Sequence, residues 1–267
     1  MIALTPDGAR YWRMSGGERV CRPFHLRWLV PAMLGQRLRA WAAFTLAMFP
    51  VCVLLTMVLA RQLGAGWPAT FAAGALWAGL PSVRFALSRP VLVDLPTVAV
   101  ALFAAISVTV HPVAGVVAAL LAGTVNERAP IFAALFAWSP LPLVGLVPVA
   151  VRFLQRDGAD CVTGPAALAV KHPVLSSRLH HRGHWLDWRL MLAPWGGCLL
   201  ALAGMSWPLA VALVVAYAQL LVATDSVRLY QQVAPVVCIA AAMTCPPLLL
   251  PLLVVAHWLN PWAGNGV

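Results

Sequence analysis

The chain carries only eight acids among its 267 residues, so each can be weighed for chemistry. Asp94, Glu127 and Asp225 each stand at the mouth of an apolar run, and Asp7 lies just ahead of the first one. Ionisable groups at membrane depth are costly and are usually kept for function, and a carboxylate so placed can accept a proton from a reacting hydroxyl. Structural readings stand beside the chemical one. Asp7 is placed to cap the first helix, Asp94 to cap a helix starting at Leu95, and Glu127 to pair with Arg128.

Histidine and cysteine offer less. His172, His180, His181 and His184 share one connector, and His180 with His184 have the i, i+4 spacing that puts two imidazoles on one helix face. Gly183 interrupts that helix, no strong motif supplies a third ligand, and Trp185, Trp188, Arg178, Arg182 and Arg189 are interleaved with the histidines. An interfacial amphipathic segment is the better reading. Of six cysteines, Cys52, Cys198, Cys238 and Cys245 lie inside apolar runs and Cys21 and Cys161 in connectors, with no CxxC or Cys/His metal spacing. They read as small buried hydrophobes.

The elements that must position these residues are apolar. Apolar residues make up 62% of the chain and charged residues 10%, against about 45–50% and about 25% in a soluble domain, which excludes the ordinary soluble classes. Spans of the hydrocarbon core need about 20 residues, and the sequence predicts them at 41–60, 66–83, 95–110, 190–205, 208–223 and 233–257. Residues 95–126 carry no charge and would make about 48 Å of continuous helix, but His111 and Pro112 divide them and leave 113–125 as a short or re-entrant helix. The stretch 129–151 is interrupted by Ser139, Pro140 and Pro142 and reads as one kinked span or two half-helices. The fold class is therefore all-α, a polytopic membrane protein with seven to nine membrane helices. Residues 1–39 form surface helices with an acidic loop, and 40–267 form one multi-span domain with a polar connector at 152–189.

The net charge of +10 can mark nucleic-acid binding, but the charges lie in short connectors between apolar runs, where headgroup anchoring explains them. Membrane lipids are the expected partners and nucleic acid is not. No cleavable signal peptide is visible, because Arg10, Arg13, Arg19 and Arg22 occupy the first 25 residues without an apolar core. The oligomeric state is not specified.

Asp7, Gly8, Tyr11 and Gly17, followed by Pro23, Phe24, Arg27, Leu29 and Pro31, read as DG, two residues, Y, a glycine, then PF and RxLxP. This pattern resembles the first outer loop of bacterial integral-membrane glycosyltransferases of the GT-C superfamily, which use polyprenyl-phosphate sugars. Three later stretches agree in order: Arg89 to Asp94 entering a span, LAGTVNER at 121–128 where relatives carry a Lys-Glu pair, and TDSVRLYQQVAP at 224–235. Relatives usually carry a membrane helix before the acidic loop, so the resemblance implies a chain shortened at its N-terminus.

That resemblance implies a GT-C-like fold in a bacterial plasma membrane and transfer of a sugar from a polyprenyl-phosphate-linked donor to an extracytoplasmic acceptor. Asp7 and Asp94 would be the catalytic carboxylates, Asp7 as the base on the acceptor hydroxyl. Tyr11, Arg27, Arg89, Glu127, Arg128 and Arg228 would bind substrate, the arginines through bidentate contacts to phosphate, with Arg128 standing in for the family's Lys. No cofactor is specified, and a divalent metal is left open. The alternative is a non-catalytic membrane protein, either a transporter or flippase of lipid-linked intermediates or a structural partner in a complex. Polar residues within spans are few, among them Thr45, Thr56, Thr97, Ser107 and Gln219, a thin pathway for a hydrophilic solute.

Overall fold

Proline sets where many of the helices begin. It occupies one of the first two positions of eight α-helices, at Pro6, Pro68, Pro81, Pro112, Pro130, Pro208, Pro235 and Pro251, where its missing N–H would have had no intrahelical partner. The computed structural model describes residues 4–18, 20, 24–154, 191–219 and 231–260. All regular elements among the described residues are helical, which bears out the all-α class. The chain divides into two compact units, Met1–Leu55 with Ala86–Cys161 and Thr56–Phe85 with Val162–Val267.

The first unit opens with α1 (Pro6–Ser15), a short 3-10 turn at Phe24–Leu26 and α2 (Leu29–Leu34). Thr5, rather than Asp7, caps α1: its hydroxyl accepts from the Gly8 N–H at 3.0 Å, leaving Asp7 inside the first turn. The reason is Pro6, which takes the first helical position and puts the cap one residue before it. Gly35 ends α2 at φ +57, and its carbonyl accepts from Trp41 Nε1 at 2.9 Å, tying α2 to the start of α3 (Leu38–Gln62). Helix α3 gives its first part to this unit and its last turns to the other.

Three further helices form the centre of the first unit: α6 (Asp94–Val110), α7 (Pro112–Val125) and α8 (Ala129–Ala137). Ala101, Ala104 and Ala105 of α6, Ala119 and Ala122 of α7, and Ala129 and Ala133 of α8 are completely buried, and side chains this small let backbones approach closely. Asp94 begins α6 and does not cap it, since the cap position is Val93. The stretch predicted at 129–151 is broken. Trp138 turns into the left-handed region at φ 48 and ψ 46, a 3-10 turn follows at Leu141–Gly145, and the chain continues as α9 (Leu146–Leu154).

The second unit contains α4 (Trp67–Ala78), most of α5 (Pro81–Ser88), a 3-10 segment at Ala193–Leu202, α10 (Trp207–Ala218), α11 (Ala234–Thr244) and α12 (Leu250–Trp258). Two runs predicted as single spans are divided here. The run 66–83 breaks before Pro81, which cannot donate back into the preceding turn, and the run 233–257 breaks at Pro246 and Pro247 with a bend of 117°. Gln231 stitches the unit internally, its Oε1 accepting from Ser82 N at 3.1 Å and its Nε2 donating to the Pro194 carbonyl at 3.0 Å.

Among the described residues, α3 is long and apolar enough to cross a membrane, and the bent pair Gln231–Thr244 with Pro247–Trp258 adds a second if counted as one broken span. Only 22% of the apolar stretch of α3 is buried. Leu46 and Leu54 on that helix are 62% and 59% exposed.

Candidate functional site

The site is assembled on the turn between α7 and α8. Asn126 leaves the helix in an extended conformation, is buried, and its Oδ1 accepts from the Arg128 N–H at 3.0 Å. Such an Asx turn reverses the chain within three residues, so Glu127 is presented at a corner outside either apolar helix. Arg27 meets it there. Its Nε donates to Glu127 Oε2 at 2.8 Å, its Nη2 donates to Oε1, and its Nη1 donates to the Tyr11 hydroxyl at 2.8 Å. Arg128 Nε lies 3.8 Å from Glu127 Oε1, a looser contact than that of Arg27.

Aromatic rings close one side. The Phe24 ring stands edge-on to Tyr11 with centroids 5.5 Å apart, and the guanidiniums of Arg27 and Arg10 lie 5.5 and 4.6 Å from its centre. Arg152 of α9 donates to the His25 carbonyl at 2.9 Å and lies over Trp28, which fixes the 3-10 turn that carries Phe24.

Burial and pairing polarise the cluster. Burial by itself pushes the Glu127 carboxyl up, but the charge and hydrogen bonds of Arg27, with Arg128 adding, outweigh it and hold it down at about 2. Burial pushes the Tyr11 hydroxyl up to about 12, against the opposing pull of Arg27. Burial also opposes the charge on Arg27, yet Glu127 and Tyr11 overcome this and raise its basicity. For Arg128, burial and then repulsion from Arg27 move the guanidinium downward. The charge of Asp94 acts on both Tyr11 and Arg128, which puts it in the same electrostatic neighbourhood.

Helix α1 docks against the segment that carries Arg89 and Asp94. Gly8 makes this possible, because a Cβ there would stand 2.9 Å from the Val91 carbonyl oxygen. The same segment is also held by α3, where Thr45 donates to the Pro90 carbonyl at 2.8 Å and Cys52 Sγ to the Leu95 carbonyl at 3.4 Å. Asp7 and Tyr11 are one turn apart on α1 and so share a face. Asp7 pairs with Arg10 at 3.2 Å, with about a quarter of its side chain exposed.

Of the residues singled out from sequence, Tyr11, Arg27, Glu127 and Arg128 are in contact, Asp94 acts on them, and Asp7 and Arg89 stand on elements packed together beside them. Glu127 does face Arg128, but its principal partner is Arg27. Arg228, Asp225, the four connector histidines, Cys21 and Cys161 lie outside the described residues. Sequence reasoning placed Asn126 at the break between apolar helices and Thr45 within a span without giving either a role at the site, and it missed Arg152. An Asn between two apolar helices is a turn signal, whereas nothing local marks the long-range contacts of Thr45 and Arg152. No protein-family model, curated protein or solved structure matches the chain.

Proposed function

We propose that this chain is an integral membrane protein of the GT-C type that transfers a sugar from a polyprenyl phosphate to an acceptor hydroxyl outside the cytoplasm of a bacterial cell. The observation that carries the reading is the joining of Tyr11 and Arg27 to Glu127 and Arg128, because these residues come from two of the separate sequence stretches that resemble that superfamily. A membrane setting is supported by α3, whose apolar side chains face outward, an arrangement that water would penalise at about 25 cal/mol per Å². The shorter helices α6 and α7 accompany it in the same bilayer as tilted or re-entrant elements.

Within this reading the roles divide. Arg27 commits Nε, Nη1 and Nη2 to Glu127 and Tyr11, so it acts as a brace and leaves phosphate to Arg128 and Arg89. Asp7 takes the proton of the acceptor hydroxyl, whose oxygen attacks the anomeric carbon. The bond from that carbon to the phosphate oxygen breaks, and polyprenyl phosphate leaves with the electron pair. Its charge then faces the Arg128 guanidinium, which provides the fork of donors that suits phosphate.

Purified protein reconstituted with a polyprenyl-phosphate sugar and a panel of acceptor lipids tests this by mass spectrometry of the glycolipid product. New glycoside with release of polyprenyl phosphate is the expected result. No turnover with any polyprenyl-phosphate sugar would favour the non-catalytic alternative.

A further inference from the structure

The second unit holds a buried group that sugar transfer does not use. Cys198 of the 3-10 segment Ala193–Leu202 and Cys238 of α11 place their sulfurs 3.5 Å apart, and His257 of α12 places Nδ1 4.0 Å from Cys198 Sγ. Both cysteines are fully buried and His257 is 1% exposed. The imidazole is wedged between backbones that only glycine allows so close. A Cβ at Gly196 would lie 2.9 Å from Nδ1, and one at Gly79 would lie 2.8 Å from Cδ2. His257 Nε2 has no hydrogen-bond partner among the described residues. Such a buried polar atom costs free energy, and the ring's other nitrogen, Nδ1, faces the Cys198 thiol.

We propose that Cys198 and Cys238 are a redox pair, oxidised to a disulfide by a small neutral peroxide, with His257 as the proton acceptor for Cys198. Two thiols and one imidazole fall short of the four ligands of a structural zinc site, and among the described residues no group of three or more His, Cys, Asp or Glu side chains could hold a metal ion. The thiolate is the nucleophile in thiol oxidation, and Cys198 is the thiol that His257 faces. Nδ1 takes the Cys198 proton and the sulfur attacks one peroxide oxygen. The O–O bond breaks, and the departing hydroxide collects the proton from His257 as water. This leaves a sulfenic acid on Cys198. The Cys238 sulfur attacks it, the S–O bond breaks, and hydroxide leaves with the Cys238 proton as a second water. Two thiols have then given two electrons to one hydrogen peroxide. The sulfurs need close only from 3.5 Å to about 2.05 Å, so the neighbouring thiol intercepts the sulfenic acid before further oxidation. Complete burial excludes a bulky oxidant such as a protein disulfide, which is why the proposal takes a small neutral peroxide. The bond ties the 193–202 segment to α11 and is independent of any glycosyl transfer.

The test treats the full-length protein in detergent micelles with hydrogen peroxide, then denatures it, alkylates with N-ethylmaleimide and maps the peptides by mass spectrometry. Cys198 and Cys238 should appear as one linked pair, while Cys52, equally buried and donating to the Leu95 carbonyl, is recovered alkylated. Cys238→Ser should accumulate a Cys198 sulfenic acid that dimedone traps, and His257→Gln should slow oxidation at least tenfold with the same product. Recovery of Cys198 and Cys238 as alkylated thiols, or as separate sulfinic acids, overturns the pairing in the wild-type protein alone, whatever the folding of the variants. An unchanged rate in His257→Gln overturns the role of the imidazole.

Discussion

Arg27 and Glu127, 100 positions apart, face each other edge to edge, with Nε 2.8 Å from Oε2 and Nη2 on Oε1. Removing one partner of such a pair strands a buried charge, at about 3–5 kcal/mol, whereas replacing both with apolar side chains of similar volume is often near neutral. Glu127→Gln should therefore lower unfolding stability in detergent by about that amount, and Arg27→Met with Glu127→Leu should lose much less than the two single changes added together. A double-mutant cycle by denaturant unfolding reads this directly. Simple additivity would mean that the two residues are not coupled.

The same pair sets an acid limit. The Glu127 carboxyl is held at about 2 in the folded chain against an ordinary 4.5, so between about pH 5 and pH 2 the unfolded chain binds a proton that the folded one refuses. Stability present above pH 5 should drain away over that window, by about 3 kcal/mol. Tyr11 acts at the other end. Its folded value of about 12 lies above the ordinary 10.0, so the unfolded chain loses its proton first and stability falls as pH rises from about 10 to 12. Unfolding midpoints measured across pH should show both slopes, and the acid slope should flatten in Glu127→Gln.

How far the site was legible in the sequence follows from what kind of signal each residue left. The corner at Asn126, Glu127 and Arg128 was legible because three polar residues interrupt an apolar run, and α7 and α8 meet there. That Arg27 of all the arginines would reach Glu127 was not, because long-range pairing leaves no trace in local pattern or propensity. Breaks were underread for a different reason. Hydropathy carries no interruption through 66–83 or 233–257, yet Pro81 and the Pro246–Pro247 pair end helices through the backbone, whatever the apolarity around them. The cap of α1 was misplaced by two residues for want of weighing Pro6, which makes Thr5 the last residue before the helix.

Gly8 is the contact that seats α1. Its absent Cβ leaves room for the Val91 carbonyl, and an added methyl would stand at 2.9 Å from that oxygen, with backbone on both sides unable to rotate away. Gly8→Ala gains helix propensity of up to about 1 kcal/mol, but the overlap should cost more, about 1–3 kcal/mol net. Thermal unfolding should show a lower midpoint. A variant as stable as the wild type would mean that α1 shifts on its bed without loss.

The outward face of α3 makes the membrane reading testable at single positions. Leu54 is 59% exposed while Cys52, two residues away, is fully buried. In sealed vesicles, Leu54→Cys should resist a hydrophilic maleimide and react with a lipid-soluble one, since its surroundings would be acyl chains. Ready labelling by the hydrophilic reagent would place that face in water and remove α3 as a span.

The base assignment separates most cleanly through two neighbouring side chains on α1. Thr5 caps the helix and Asp7 does not, so the structural and chemical contributions of this turn fall on different residues. Thr5→Ala should cost about 1 kcal/mol of stability and leave the rate of transfer per folded molecule unchanged. Asp7→Asn should do the reverse. It weakens an ion pair with Arg10 that is partly exposed and worth under about 1 kcal/mol, but it removes the carboxylate proposed to accept the hydroxyl proton, and general-base contributions run to about 10² to 10⁴ in rate. Glycolipid formation measured beside unfolding in detergent gives both numbers for both variants. Transfer that persists at wild-type rate in Asp7→Asn would move the base to Asp94, the other carboxylate beside the Tyr11–Arg27 cluster.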